Sequence, residues 1–480
     1  METPPMTYRC GNRYQIQLFS DSLDDCIAKG DPVRAYDAFV DLLDLPNLKF
    51  EMDAHKAGNP EYHPRTMLKL LIYGYSYGHQ SSRKLERAVH HNISFMWLMG
   101  GLKPDHKTIA RFRSDNKKAI KNVLKQCAQM CIKLGLIEGN TLFVDGSKFR
   151  ASASINQTWT AERCEKVLKK VDTRIDGILA ECERIDKQEQ DSPSLVKLKE
   201  ELHDKETLKA KVEAVHKEIK DHDRRSINTT DPECVKVKGR QGTHAGYNAQ
   251  IVVDEKHGLI VNSDVVNESN DINQFANQIN QAQKNLDKKC QASCGDAGYS
   301  NTDKMKEIDD QNIAVIVPTQ KQAYDTPAKE FEKSQFQYDA DKDCYTCPQG
   351  HSLPYSYFCK DKQHRVYQIE NPSNCTGCPH FGVCTKDKSG RRVRRLVNEE
   401  TRLKLEAQYK KPESQAIYKL RKEKVELPFG HIKHNLRTGG FLLRGLDGVN
   451  AEMSILTSCF NIARMIGILG VVPLIAKLAG

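Results

Sequence analysis

The sequence predicts a mixed α/β protein, and three observations carry that expectation: a helical N-terminal stretch, a set of short β-rich runs between residues 141 and 318, and two abrupt changes of composition that read as insertions. The 480 residues are 39% hydrophobic with a formal net charge of +10. That length leaves room for roughly two to four domains, and the apolar share excludes disorder along the whole chain. METPPMTYRC at the N-terminus lacks a secretory pattern. Met465 to Ala476, the longest apolar run, has twelve residues with Pro473 among them, short of the ~18 to 20 that a membrane span needs. We therefore expect a soluble intracellular chain with no membrane partner. A mild basic excess favours a polyanionic partner.

The first ~135 residues read as helical. Pro64 suits a first helical turn, and Met67, Leu68, Leu71, Ile72 and Tyr75 follow at helical spacing. Gly78 offers a left-handed stop, and Ser82 an N-cap for a second helix carrying Leu85, Ala88 and Val89. After the Gly100-Gly101 break comes PDHKTIARFR, residues 104–113, in which Ile109 and Phe112 can pack inward while Lys107, Arg111 and Arg113 stay outside. A helix pair with such a basic follow-up is compatible with major-groove binding.

Thr141 to Asp145 (TLFVD) is a short apolar run ending in an acid, a buried-strand pattern. From Ala161 to Arg225, 33 of 65 residues are charged. Apolar positions recur there at Ile175, Ile178, Cys182 and Ile185, then Leu195, Leu198, Leu202, Leu208, Val212, Val215 and Ile219, with a break at Asp191 to Ser194. Steps of three and four predict a coiled-coil-like antiparallel hairpin with a solvated outer face. Beyond it, Asn248–Asp254 and Leu259–Val266 are β-rich runs joined by a hairpin signal at Glu255–Gly258. A helical stretch (274–286), a run ending in Asp296, and the run 312–318 follow. The order is strand, strand, strand, helix, strand, helix, strand.

Asp145 and Asp296 each end a strand next to a glycine, rigidly held and exposed enough to bind an ion. Hard oxygen ligands suit Mg²⁺, which keeps waters that a phosphate can displace. Glu426 lies in YKLRKEKVELPFGHIKHN (418–435), readable as helix up to the residue before Pro428, among Arg421, Lys422, Lys424 and Lys433. Three carboxylates around two Mg²⁺ ions ~3.5 to 4 Å apart support in-line phosphoryl transfer on nucleic acid strands. His431 and His434 read as polar surface residues near a nucleic acid.

Cysteines number sixteen, six of them (Cys344, Cys347, Cys359, Cys375, Cys378, Cys384) within 41 residues. A reducing compartment disfavours disulfides. Cys344-x₂-Cys347 and Cys375-x₂-Cys378 are spaced to chelate one Zn²⁺, which would stabilise a segment too poor in apolar runs for a core. Six of the ten residues from Lys386 to Arg395 are basic, a reasonable phosphate contact.

These motifs together resemble the DDE transposases of bacterial insertion sequences. PDHKTIARFR is similar to that family's N-terminal element, FVDGSK (143–148) to its first-aspartate motif, GYNAQ (246–250) with Val253-Asp254 to its second strand, GDAGY (295–299) to its second-aspartate motif, and VELPFGHIK (425–433) running on to FLLRG (441–445) to its glutamate region. The resemblance implies an RNase-H-like α/β catalytic domain, whose element order is the one read above, formed by residues 136–160, 228–320 and 399–480. It would carry a helical DNA-binding domain in front (1–135), an inserted helical hairpin (161–227) and an inserted cysteine-rich, zinc-ribbon-like segment (321–398). It implies that Asp145, Asp296 and Glu426 bind two Mg²⁺ ions, that Tyr418, Arg421 and Lys433 contact DNA, and that Cys347, Cys375, Cys378 and Cys384 hold a structural Zn²⁺, with Cys344 a further candidate. Four residues separate Arg421 from Glu426 where the family signature has three, so Lys422 is an alternative to Arg421. The implied function is cut-and-join transposition at terminal inverted repeats, by at least a dimer on double-stranded DNA in a prokaryotic cytoplasm. A structure-specific nuclease and a catalytically idle DNA-binding regulator are the alternatives.

Overall fold

A computed structural model describes residues 22–50, 61–186, 193–239, 242–324, 327, 330–360 and 363–479. The chain forms two compact units, one from Met1–Asn116 with Ile462–Gly480 and the other from Lys117–Asn461.

Five helices build the front of the first unit: α1 (Pro32–Asp41), α2 (Pro64–Ser76), α3 (Ser82–His91), α4 (Ile93–Leu98) and α5 (His106–Asp115). Their starts follow local chemistry. Asp31, Asn92 and Asp105 accept backbone N–H bonds at the N-termini of α1, α4 and α5. Gly78 adopts φ +72° after α2, the left-handed stop expected there, whereas the residue preceding α3 is Ser81 rather than Ser82. Ile109 is buried and Phe112 stacks on Phe50. Arg113 corrects the sequence reading. Its guanidinium is buried, donating to Tyr75 Oη at 2.9 Å and to the Gln80 carbonyl at 2.8 Å, so it ties α5 to α2 and is not presented outward. Lys107 and Arg111 are exposed, Arg111 beside Asp115.

After a short helical turn at Lys117–Lys121, the second unit carries α6 (Val123–Lys133) and a mixed sheet of β1 (Thr141–Arg150), β2 (Val235–Gly239), β3 (Gly242–Asp254), β4 (Ile260–Val266), β5 (Ala292–Cys294) and β6 (Ala314–Ile316). The order is β2-β3-β1-β5-β6, with β4 also on β3. β3 is antiparallel to β1, β2 and β4, and β1, β5 and β6 run parallel. Two differences from the sequence reading stand out: β1 continues five residues past Asp145, and β2 is an additional strand. Both reflect the thirteen-residue length of β3, whose first half pairs with β2 and whose second half pairs with β4.

Between β1 and β2 the helices α7 (Ala161–Asp186) and α8 (Pro193–Asp221) form the hairpin. Lys209 reaches Asp172 and Arg174 reaches Glu201, which fixes an antiparallel register. Cys164, Val212 and Ile219 pack at its base with Ile227. Leu208 does not join the seam, being 37% exposed. The helical step from Leu198 through Val212 places Lys209 at that turn instead, with its ammonium on Asp172. The side chains of Ile185 and Leu195 and the break at 191–192 lie outside the described residues.

Helices α9 (Phe275–Leu286) and α10 (Thr302–Asp309) alternate with the parallel strands. The cysteine-rich region is a second antiparallel sheet, β7 (Gln337–Asp339), β8 (Cys344–Thr346), β9 (Ser352–Cys359), β10 (His364–Gln368) and β11 (Arg392–Leu396), over a core of Phe336, Tyr345, Leu353, Tyr367, Ile369 and Val393. Then come α11 (Glu399–Lys410), α12 (Pro412–Gly430), a π-helical turn at His431–Asn435, α13 (Gly445–Leu469) and α14 (Val471–Ala479). Contrary to expectation α12 runs through Pro428. Burial of Val425 and Phe429 on either side outweighs the missing N–H, and the π-turn that follows absorbs the offset in the ladder.

The long apolar C-terminal stretch is cut by Gly470 at φ +80° into α13 and α14, and α14 packs on α1 in the first unit. By length and composition α13 would suffice to cross a membrane, but 67% of its apolar window is buried within the protein. It also completes the main sheet. Asn450 and Asn461 each donate to and accept from one backbone position of β4, Val265 and Ile260, at 2.8–3.0 Å. Helix amides thus satisfy a strand edge that would otherwise bury unpaired backbone groups.

Candidate active site

β1 alternates its side chains between two faces, and the alternation organises the site. Asp145, Ser147 and Phe149 face α12 and the turn after it. Arg421 Nη1 stands 3.8 Å from Asp145 Oδ1. Lys433 donates to Ser147 Oγ and to the Lys148 carbonyl, and its ammonium lies over the Phe149 ring. Phe429 packs against Phe149. Tyr418 sits edge-on to Tyr409, with the Arg421 guanidinium 5.7 Å from its ring centre.

Asp296 follows β5, the parallel neighbour of β1, and caps a short 3₁₀ turn by accepting the Gly298 N–H at 2.8 Å. Burial pushes the Asp145 carboxyl up to about 7; Arg421 opposes this, while the charges of Asp296 and Asp271 reinforce it. Asp145 thus feels the charge of Asp296, and Arg421 feels the charges of both. Lys422 is exposed, so of the two basic residues it is Arg421 that faces Asp145. A helix facing the sheet through Val425 must turn Arg421 inward and Lys422 outward.

Glu426 is not brought into this set. It is exposed on α12, and no hydrogen bond or ion pair engages it among the described residues. His431 packs its ring edge-on against Phe460 and so is not the polar surface residue expected, whereas His434 is exposed.

The other face of β1 holds what the sequence reading missed. Asp271, in the loop after β4, accepts at Oδ1 from Asn248 Nδ2 (2.7 Å), Gln250 Nε2 (2.7 Å) and Lys148 Nζ (3.2 Å). Tyr299, fully buried, donates to Gln250 Oε1. Gly146 lies under this network: a Cβ there would sit 2.4 Å from Gln250 Nε2 and 2.6 Å from Asp271 Oδ1. The glycine after Asp145 is therefore required by close polar packing rather than by a turn. The alternation Asn248, Gln250 within an apolar strand was the available signal, since buried amides need partners.

In the cysteine-rich sheet, Cys347, Cys375, Cys378 and Cys384 line one small cavity with His351, His380 and Arg391. Burial and the other three thiols push the Cys384 thiol up against the opposing charge of Arg391. Cys344 and Cys359 do not line the cavity. Among the described residues no three acidic, imidazole or thiol side chains already stand in a coordination shell.

Residues 21–115 match the family described as a transposase domain (DUF772), and residues 346–466 match the transposase DDE domain. The two matches support a DDE transposase of the insertion-sequence type. Comparison with curated proteins gives no match. Among solved structures, the cryo-EM structure of a piggyBac transposase synaptic complex with hairpin DNA is similar over 94% of this chain and 79% of that chain, at 10% identity and a TM-score of 0.34, a likeness too slight to carry an argument.

Proposed function

We propose that this transposase cleaves DNA at the ends of its element and joins the freed 3′ hydroxyls to target DNA, in an RNase-H-like domain. The observation that carries the reading is that Asp145 and Asp296 each follow by two residues the last parallel pair of β1 and β5, Phe143 with Cys294, while Arg421 approaches Asp145 and feels the charge of both. The sheet order supports the fold: three antiparallel strands β4-β3-β1 continue into the parallel pair β5 and β6.

The residues fit Mg²⁺. The donors are hard oxygens, and a carboxyl pushed up to about 7 by burial and by neighbouring carboxylates lacks enough positive charge around it. Asp145 and Asp296 would hold the metal, with Glu426 supplied from α12; bound there, it would lower the pKa of an attacking hydroxyl and offset charge on the phosphate. Arg421 and Lys433 present cations to the DNA backbone on that side of β1. Lys107 and Arg111 on α5 contribute phosphate contacts from the N-terminal domain. Joining two ends needs two active sites, so a homodimer on DNA is part of the proposal. The four thiols around one cavity fit Zn²⁺ by number and chemistry; metal analysis should return about one zinc per chain, and less than ~0.3 would remove this element.

The test is Asp296→Asn in a strand-transfer assay with a plasmid target and DNA carrying the element's end. Loss of cleavage and joining with end binding retained is the expected outcome. Unchanged activity discards the site.

A further inference from the structure

We propose that the cysteine-rich sheet is a stacking surface for an unpaired DNA strand. Every residue from Pro354 to Phe358 on β9 is exposed, and three are aromatic: Tyr355 at 45%, Tyr357 at 48% and Phe358 at 38%. Aromatic rings of this size rarely stay uncovered on a strand without a partner.

The backbone arranges them. Pairing between β9 and β10 jumps from Tyr355↔Tyr367 to Tyr357↔Val366, a bulge that inserts one residue into β9. In a regular strand Tyr355 and Tyr357 would share a face. The bulge instead places Tyr355 with Phe358 on one face and Tyr357 on the other. Across the sheet, each of the two rings beyond the bulge is followed by arginine: Phe358 pairs with Arg365 and then Arg395, Tyr357 with Val366 and then Arg394. Rings and guanidinium groups are thus interleaved in adjacent rows.

Charge identifies the occupant. From Ser352 to Leu396 there are nine Lys and Arg against three Asp and Glu. Arg391 and Arg395 are spent on internal contacts, to the Cys384 and Phe331 carbonyls and to Tyr345 and Glu400. Arg394 is exposed and engages no acid among the described residues. A second copy of so basic a surface would repel this one, whereas phosphates are complementary to it. Bases inside a duplex already stack on one another. Rings offered on a strand surface therefore select unpaired bases, with phosphates passing to the flanking arginines.

The proposal borrows from the DNA-joining reading only that DNA is the partner, and its test needs no catalysis. Full-length protein is titrated with fluorescently labelled oligo(dT) and with a duplex of equal length. Tyr355→Ala and Phe358→Ala, which remove the two rings that share a face, should each weaken oligo(dT) binding by about fivefold or more and duplex binding by less than about twofold. Equal losses on both would reduce the surface to a phosphate contact and overturn the stacking proposal, as would unchanged oligo(dT) binding. A Phe358→Trp variant gives an independent readout: its added emission should be quenched by oligo(dT), and bound but unquenched protein refutes the assignment. Asp296→Asn should bind oligo(dT) like the parent. If that variant instead loses oligo(dT) binding, the strand sits in the catalytic site and not on this sheet.

Discussion

On one face of β1, Gly146 and Lys148 meet Asn248, Gln250 and Asp271 in a network closed by hydrogen bonds of 2.7–3.2 Å. On the other, Asp145 meets Arg421 at 3.8 Å and is driven toward protonation by burial and by neighbouring carboxylates. One strand therefore carries a satisfied face and an unsatisfied one. The lesson is that the unsatisfied face depends on the satisfied one. Charged groups that repel in a buried site stay in position only when the backbone beneath them cannot relax.

Substitutions that treat the two faces alike would break this comparison. The largest effect is expected for Asp145→Asn, which should lower strand transfer by about a hundredfold or more, in the range of losing one positioned electrostatic group. The same change should stabilise the fold without metal. The Asp145 carboxyl is raised in the folded state, so its contribution to stability is present at low pH and is lost as pH rises from about 4 through about 7. In chelator, urea unfolding should show the variant gaining on the parent between pH 5 and pH 8; a constant difference would count against the raised carboxyl.

Gly146→Ala tests the satisfied face. Its methyl would meet Gln250 and Asp271 well inside van der Waals contact, and overpacking of this kind costs about 1–3 kcal/mol. The expected signature is opposite in sign to that of Asp145→Asn, with lower stability at every pH. Asp271→Asn is a smaller perturbation: it keeps the shape but removes the charge that Lys148 faces, and should cost about 1–2 kcal/mol while also slowing strand transfer. Normal transfer in a destabilised variant would show that the two faces are independent. At the lower end, Arg421→Ala should weaken strand transfer clearly and Lys422→Ala should change neither transfer nor stability beyond about 0.5 kcal/mol; equal effects would mean that α12 is rotated from the orientation described.

Much of the site was legible because its chemistry is local. Asp145 and Asp296 each end a short apolar run, and both the run and the acid are visible without tertiary information. Arg113 was misread because an arginine one residue beyond an inward-packing, half-buried aromatic looks exposed on a helical wheel; only the packing of α2 against α5 supplies Tyr75 Oη and the Gln80 carbonyl as buried acceptors. Leu208 was misread for a related reason, since a polar residue at a seam position is tolerated once Asp172 across the hairpin receives Lys209. Asp271 was invisible because it lies in a loop, and nothing in its neighbours announces three donors converging from β1 and β3.

By itself, the sequence determined most of the helices, the left-handed stop at Gly78, the strands around 141–145, 248–254 and 259–266, and the grouping of four cysteines. Each of those follows from periodicity, turn chemistry or spacing within a few residues. Tertiary structure alone decided which basic residue faces Asp145, that Glu426 stays exposed, that Gly146 is demanded by a polar network, and that a bulge in β9 sorts its aromatic rings between two faces. Those outcomes depend on distances between segments far apart in the chain, and a side chain's partner there is set by packing rather than by its own neighbours.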